Sequence, residues 1–98
     1  MGNFPEVASV GRYKVVEWSA IAEPTGACEG VTVVVAASSV SEAAKLVRAA
    51  GVSRISKKVD RPTPPSDESV HVALQAPGRV MARRDSDDTW RPAEDIFG

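Results

Sequence analysis

The sequence predicts a small α+β domain, with one amphipathic helix packed on one face of an antiparallel sheet in the order β-β-α-β-β-β-β. Three observations carry this. Val31–Ala37 is a Val-rich run of strand character, it leads directly into a helix with a readable cap and stop, and shorter strand-like runs separated by Gly and Pro lie on both sides. At 98 residues the chain has room for one domain, placed at residues 12–92 with a C-terminal tail over 93–98. Only five aromatics are present, so the core must rest on Val and Ala.

Residues 1–11 lack periodicity and hold Gly2, Pro5 and Gly11, which predicts a flexible lead-in. Arg12–Ala22 is rich in β-branched and aromatic residues, with Tyr13, Val15 and Ile21 on one side and Val16, Trp18 and Ala20 on the other, and reads as the first strand. Glu23–Gly30 is punctuated by Pro24, Gly26 and Gly30 and returns the chain antiparallel into Val31–Ala37. Ser39 then serves as N-cap, its hydroxyl accepting from the Glu42 amide while the Glu42 carboxylate reaches back. From Val40 to Ala50, Val40, Ala43, Leu46, Val47 and Ala50 share an arc of about 120°. Gly51 follows where a left-handed residue ends a helix.

Val52–Val59 fits an edge strand guarded by Lys57 and Lys58, or alternatively one short helix. Arg61–Ser69 is a connector in which Pro62, Pro64 and Pro65 offer no amide to a ladder. Val70–Gln75 alternates, with Val70, Val72 and Leu74 inward, and is assigned to a strand. Ala76-Pro-Gly-Arg79 has the residues of a type II turn, after which Val80–Arg84 pairs back. Asp85–Asp88 turns the chain into a last short strand, Thr89–Arg91.

The net charge of −1 hides alternating blocks: residues 43–61 hold six cations against one carboxylate, whereas 85–98 hold five carboxylates against one cation. No basic n-region precedes an apolar run and no stretch approaches about 18 consecutive apolar residues, which predicts neither a secretory leader nor a membrane span. With a single cysteine, Cys28, a cytoplasmic location is the expectation.

The motifs that carry chemistry are sparse. Cys28 and the sole histidine, His71, have no spacing that brings a nucleophile to its base, and Asp85, Asp87 and Asp88 lack the glycine and the distal glutamate of an EF-hand loop. The expectation is a protein that is not an enzyme and takes no cofactor or metal.

Ser41-Glu-Ala-Ala-Lys-Leu46 followed by Gly51-Val-Ser-Arg54 resembles the helix-turn-helix opening of excisionase and MerR-type proteins. That resemblance implies a recognition helix after Gly51 and DNA binding, with Lys45, Arg48, Arg54, Lys57, Lys58 and Arg61 as phosphate contacts. The chain departs from the pattern where Val47-Arg-Ala-Ala50 lengthens the first helix and Pro62 cuts the second short. In overall texture the sequence resembles small accessory proteins of actinobacteria and their phages, which implies a non-catalytic, protein-binding role.

A protein-binding accessory module is therefore the leading expectation and a DNA-binding factor the alternative. Trp18, Trp90, Ile96 and Phe97 are the candidate anchors for a protein partner, and a homodimer is expected because a small Val/Ala core gains burial from a second copy.

Overall fold

Five strands form one antiparallel sheet whose spatial order follows the chain, in a computed structural model that describes residues 7–21, 30–52 and 62–97. They are β1 (Val7–Val10), β2 (Tyr13–Ile21), β3 (Val31–Ala37), β4 (Met81–Arg84) and β5 (Arg91–Pro92). Between β3 and β4 come two helices, α1 (Val40–Ala49) and α2 (Asp67–Gln75), and a single turn, α3 (Glu94–Phe97), follows β5.

The α+β class and the assignments at β2, β3 and α1 agree with the sequence reading, and Val31–Ala37 is a strand over the predicted span. One-sided packing does not hold. All seven residues of β3 are buried, and all but Thr32 belong to one of two apolar clusters. Val31, Val33, Val35 and Ala37 pack under α1 with Ala43, Ala44 and Val47. Val34 and Ala36 pack with Ala73, Val70 and Leu74 of α2 on the opposite face. A strand buried on both sides shows a continuous apolar run in place of alternation, and Val-Thr-Val-Val-Val-Ala-Ala is such a run.

The second helix corrects the assignment of Val70–Gln75 to a strand. Six residues satisfy both periods, because Val70, Ala73 and Leu74 lie on one helical face just as Val70, Val72 and Leu74 lie on one strand face. The deciding signal stands upstream. Ser66 caps the helix by accepting from the Ser69 amide at 3.1 Å, and Asp67 and Glu68 place negative charge in the first turn. Arg79 then bonds back to the Ala76 carbonyl at 3.0 Å with Gly78 at φ 87, so the expected turn is present but joins α2 to β4.

Residues 1–11 are not wholly a lead-in, since Val7–Val10 pairs with β2 in the register Val7↔Val16 to Val10↔Tyr13. Gly11, at φ 59, and Arg12 close this hairpin as a two-residue loop. Four residues are too few to display a period, and Gly11 looked like a breaker when it is the turn itself. Of the expected tail over 93–98, residues 93–97 are described and pack on the domain. Ala93 is buried and donates to the Val80 carbonyl at 2.9 Å, while Ile96 and Phe97 of α3 pack on the α1-side cluster. The last strand is Arg91–Pro92 in place of Thr89–Arg91, the Thr89 amide being taken by the Asp87 carboxylate and not by a ladder.

The start of α1 differs from the expected reciprocal box in one bond. Ser39 accepts from the Glu42 amide at 3.1 Å as anticipated, but the Glu42 carboxylate reaches one residue further back, to the Ser38 amide at 2.8 Å and hydroxyl at 2.6 Å. At the other end Gly51 donates to the Arg48 carbonyl and Val52 to the Val47 carbonyl, at 3.1 and 3.2 Å. Together with the buried Val47 and Val52 this is a Schellman stop. Gly51 adopts φ 110, and a Cβ placed there would lie 2.7 Å from the Phe97 carbonyl oxygen. The same glycine thus ends α1 and admits the C-terminal turn.

Between α2 and the sheet edge, Thr63 alone among Pro62, Thr63, Pro64 and Pro65 has an amide to give, and it donates to the Glu17 carbonyl at 2.8 Å. This bridge takes up the edge of β2 where β1 ends. Of the Val52–Val59 segment, positions 53–59 lie outside the described residues.

Two outcomes follow from these termini. Gly51→Ala should cost about 2–3 kcal/mol in denaturant unfolding, from a disallowed φ and a backbone clash, and should increase proteolysis near Phe97. Glu42 is held below its ordinary value of 4.5, first by the Ser38 hydroxyl and then by the Ser38 amide, with a smaller contribution from Lys45 and against a small desolvation effect. Because the folded value is the lower one, the contribution of this group to stability is present above pH 4.5 and is lost as the pH falls through the folded value. NMR titration should show a depressed Glu42 midpoint that rises toward 4.5 in Ser38→Ala.

Candidate interaction surface

The two ends of the sheet are finished differently. At one end β5 is two residues long and contains Pro92, which has no amide to offer, and α3 follows it immediately. At the other end β1 presents Val-Ala-Ser-Val with no charge and no proline, and its Val10 side chain is 39% exposed. Proline and the following α3 blunt the edge at β5, whereas β1, although short, carries neither charge nor proline.

The direction of the β1 backbone follows from its neighbours. Glu17 uses its carbonyl toward Thr63, on the side of β2 that faces β1. Two residues back, Val15 faces the same way, so Ala8↔Val15 and Val10↔Tyr13 are the hydrogen-bonded pairs and the N–H and C=O of Val7 and Ser9 point away from the sheet. Side chains alternate across the strand. Val7 packs on the α1-side cluster and Ala8 on the α2-side cluster, and Val10 stands beside Tyr13, itself packed in the latter. Lys14 holds the Ser9 hydroxyl at 2.8 Å.

The residues singled out from the sequence as partner anchors are placed elsewhere. Trp18 is 3% exposed inside the α1-side cluster, with no acceptor for its Nε1, and serves as core. Trp90 packs on the α2-side cluster, donates to Glu68 at 2.8 Å, and lies under the Arg83 guanidinium at 5.6 Å. Ile96 and Phe97 are half-buried against the core. Beside them, Leu46, Ala49, Ala50 and Val80 line a shallow groove rimmed by the Arg79–Glu94 pair at 3.6 Å.

Of the basic candidates, Lys45 and Arg48 are exposed on the outer side of α1, while Arg54, Lys57, Lys58 and Arg61 lie outside the described residues, as does Cys28. His71 is exposed on α2, its ring nitrogen 2.9 Å from the Gln75 amide. In the Asp-rich turn Asp87 accepts from the Thr89 amide and pairs with Arg91, both at 3.0 Å. The Thr89 amide is the main cause that lowers its carboxyl, with Arg91 and Arg84 adding to it. Among the described residues no helix is long and apolar enough to cross a membrane.

The β1 edge was missed from sequence because its signal is the spacing of Gly11-Arg12 between two short β-branched runs. No protein-family model, no curated protein and no solved structure matches the chain.

One charged group is buried beside this edge. Glu17 is 8% exposed; its Oε2 accepts from Ser19 and Thr63 at 3.3 Å each, and its Oε1 has no partner. A buried carboxylate with an unpaired oxygen is costly, whereas an amide keeps an acceptor without the charge. Glu17→Gln keeps the acceptor for Ser19 and Thr63 and removes the charge, but sets an NH2 with two unmatched donors at the unpartnered position, so stability should change by less than about 1 kcal/mol in thermal or denaturant unfolding at neutral pH. A clear loss would show that the charge itself is compensated.

Proposed function

We propose that this protein is a small, non-catalytic protein-binding accessory module of the cytoplasm, and that its binding element is the open β1 edge. The observation that supports this is the contrast between the two ends of the sheet: the β5 end carries Pro92 and is followed by α3, while β1 leaves outward amides and carbonyls beside an exposed Val10. An edge of this kind captures an extended segment by main-chain hydrogen bonds, which supply affinity without any catalytic group. The resemblance to small accessory proteins of actinobacteria and phages points the same way. The competing DNA-binding reading rests on Lys45 and Arg48 on α1 together with the basic positions 54–61, and it requires a strongly salt-dependent affinity.

The test replaces Ser9 with a photo-crosslinking residue in cells and, separately, challenges the purified protein with duplex DNA. Protein adducts from position 9 and no duplex shift at physiological salt are the expected results. A duplex complex that survives physiological salt and is lost in the Lys45→Glu, Arg48→Glu variant would reverse the assignment.

A further inference from the structure

We infer that the occupant of the β1 edge is a second copy of this chain, paired antiparallel about Ser9 so that two five-stranded sheets become one sheet of ten. This rests on the protein-binding reading above and names the partner for it. An isologous two-fold contact requires a strand that complements itself, and β1 does so in one register. With Ser9 opposite Ser9 of the partner copy, the outward N–H and C=O of the two serines satisfy one another. Val7 then falls opposite Gly11, where no side chain obstructs the approach.

The side chains select this register over its neighbour. Ala8 and Val10 lie on the α2 side of the sheet, and pairing about Ser9 sets each Ala8 against the other copy's Val10. One row then runs Tyr13, Val10, Ala8, Val15 from the first copy into the second, and its symmetry mate runs back. The two α2-side clusters become continuous and the 39% exposed Val10 is covered. Pairing about Ala8 instead would leave Val10 opposite a position beyond the N-terminal end of β1.

β1 itself carries no charge, and on the α2-side row the nearest cation is Arg12, stacked over Tyr13 at the outer end. On the α1 side each Lys14 ammonium lies on its own Ser9 hydroxyl, so pairing about Ser9 brings the two ammonium groups to about one strand spacing, and these exposed side chains must turn away into solvent when the copies meet. A heterologous peptide has less to recognise here, because specificity in strand addition comes from pockets for alternate side chains and β1 offers only Val, Ala and Ser. The paired segment is short, so association is weak and concentration-dependent.

The experiment is analytical ultracentrifugation of the full chain from about 0.05 to 1 mM, a range suited to a small interface, with isotope-filtered NMR at the upper end. The expected result is a shift toward twice the 10.4 kDa chain mass. It should be accompanied by an intermolecular NOE between the Ala8 and Val10 Hα protons and by new exchange protection of the Val7 and Ser9 amides. Ser9→Pro removes an outward amide that β2 does not use, and Val10→Lys puts a charge in the apolar row. Both should remain folded by circular dichroism and lose the dimer.

A monomer at every concentration, a dimer unchanged in both variants, or an Ala8–Ala8 NOE in place of Ala8–Val10 would overturn the inference. Should the purified chain stay monomeric while position 9 crosslinks to other proteins in cells, the second-copy inference fails and the protein-binding reading stands. Monomer with no protein adduct removes both.

Discussion

The structure depends on burying β3 from both sides. Its seven residues occupy the middle of the sheet, between β2 and β4, and neither face of the strand meets water. Each side chain removed from solvent contributes about 1.5–3 kcal/mol, but only if something apolar covers it. Two helices of similar length, α1 and α2, meet that requirement from opposite faces. The largest fully buried side chains are all valines, as a sequence poor in aromatics dictates. Ala43, Ala44 and Ala73 line the helix faces that approach the sheet, and their small side chains bring helix and strand close.

Covering both faces constrains the ends of the elements. Gly51 must stop α1, turn the chain and leave space for the Phe97 carbonyl, so the helix stop and the C-terminal turn are one local problem with one residue at its centre. Thr63 has a comparable position at the opposite edge. Flanked by prolines, it supplies the amide that completes the Glu17 position on β2, and its hydroxyl is one of two that meet the buried Glu17 carboxylate. The chain thus enters the second layer through a seam that is polar and hydrogen-bonded on both sides.

The same arrangement leaves the two edges unequal. Chain that follows β5 folds under as α3, while β1 forms a short hairpin whose outer amides have no partner among the described residues. Several groups that drew attention in the sequence are committed to structure: Trp18 to the core, Trp90 to Glu68 and Arg83, Asp87 to its own turn. Interaction through backbone groups needs none of them, which is why the surface with the clearest capacity to bind contains no residue of distinctive chemistry.

What the sequence determined by itself is local. The Ser39 cap, the single apolar arc of α1, the Gly51 stop and the Val31–Ala37 run are legible from neighbours within a few residues, because capping, helix period and β-branched composition are properties of adjacent positions. The tertiary structure decided what those neighbours leave open. Val70–Gln75 satisfies strand and helix periods alike, and it becomes a helix because Ser66 caps it and β3 needs cover on its second face. Val7–Val10 is too short to carry a period and becomes a strand because β2 pairs with it across Gly11-Arg12. Which strand lies at an edge, and which way its amides point, is set by pairings between residues far apart in the chain. The candidate site consists of those pairings left incomplete, so its one trace in the order of the amino acids is the Gly11-Arg12 turn that makes β1 a strand.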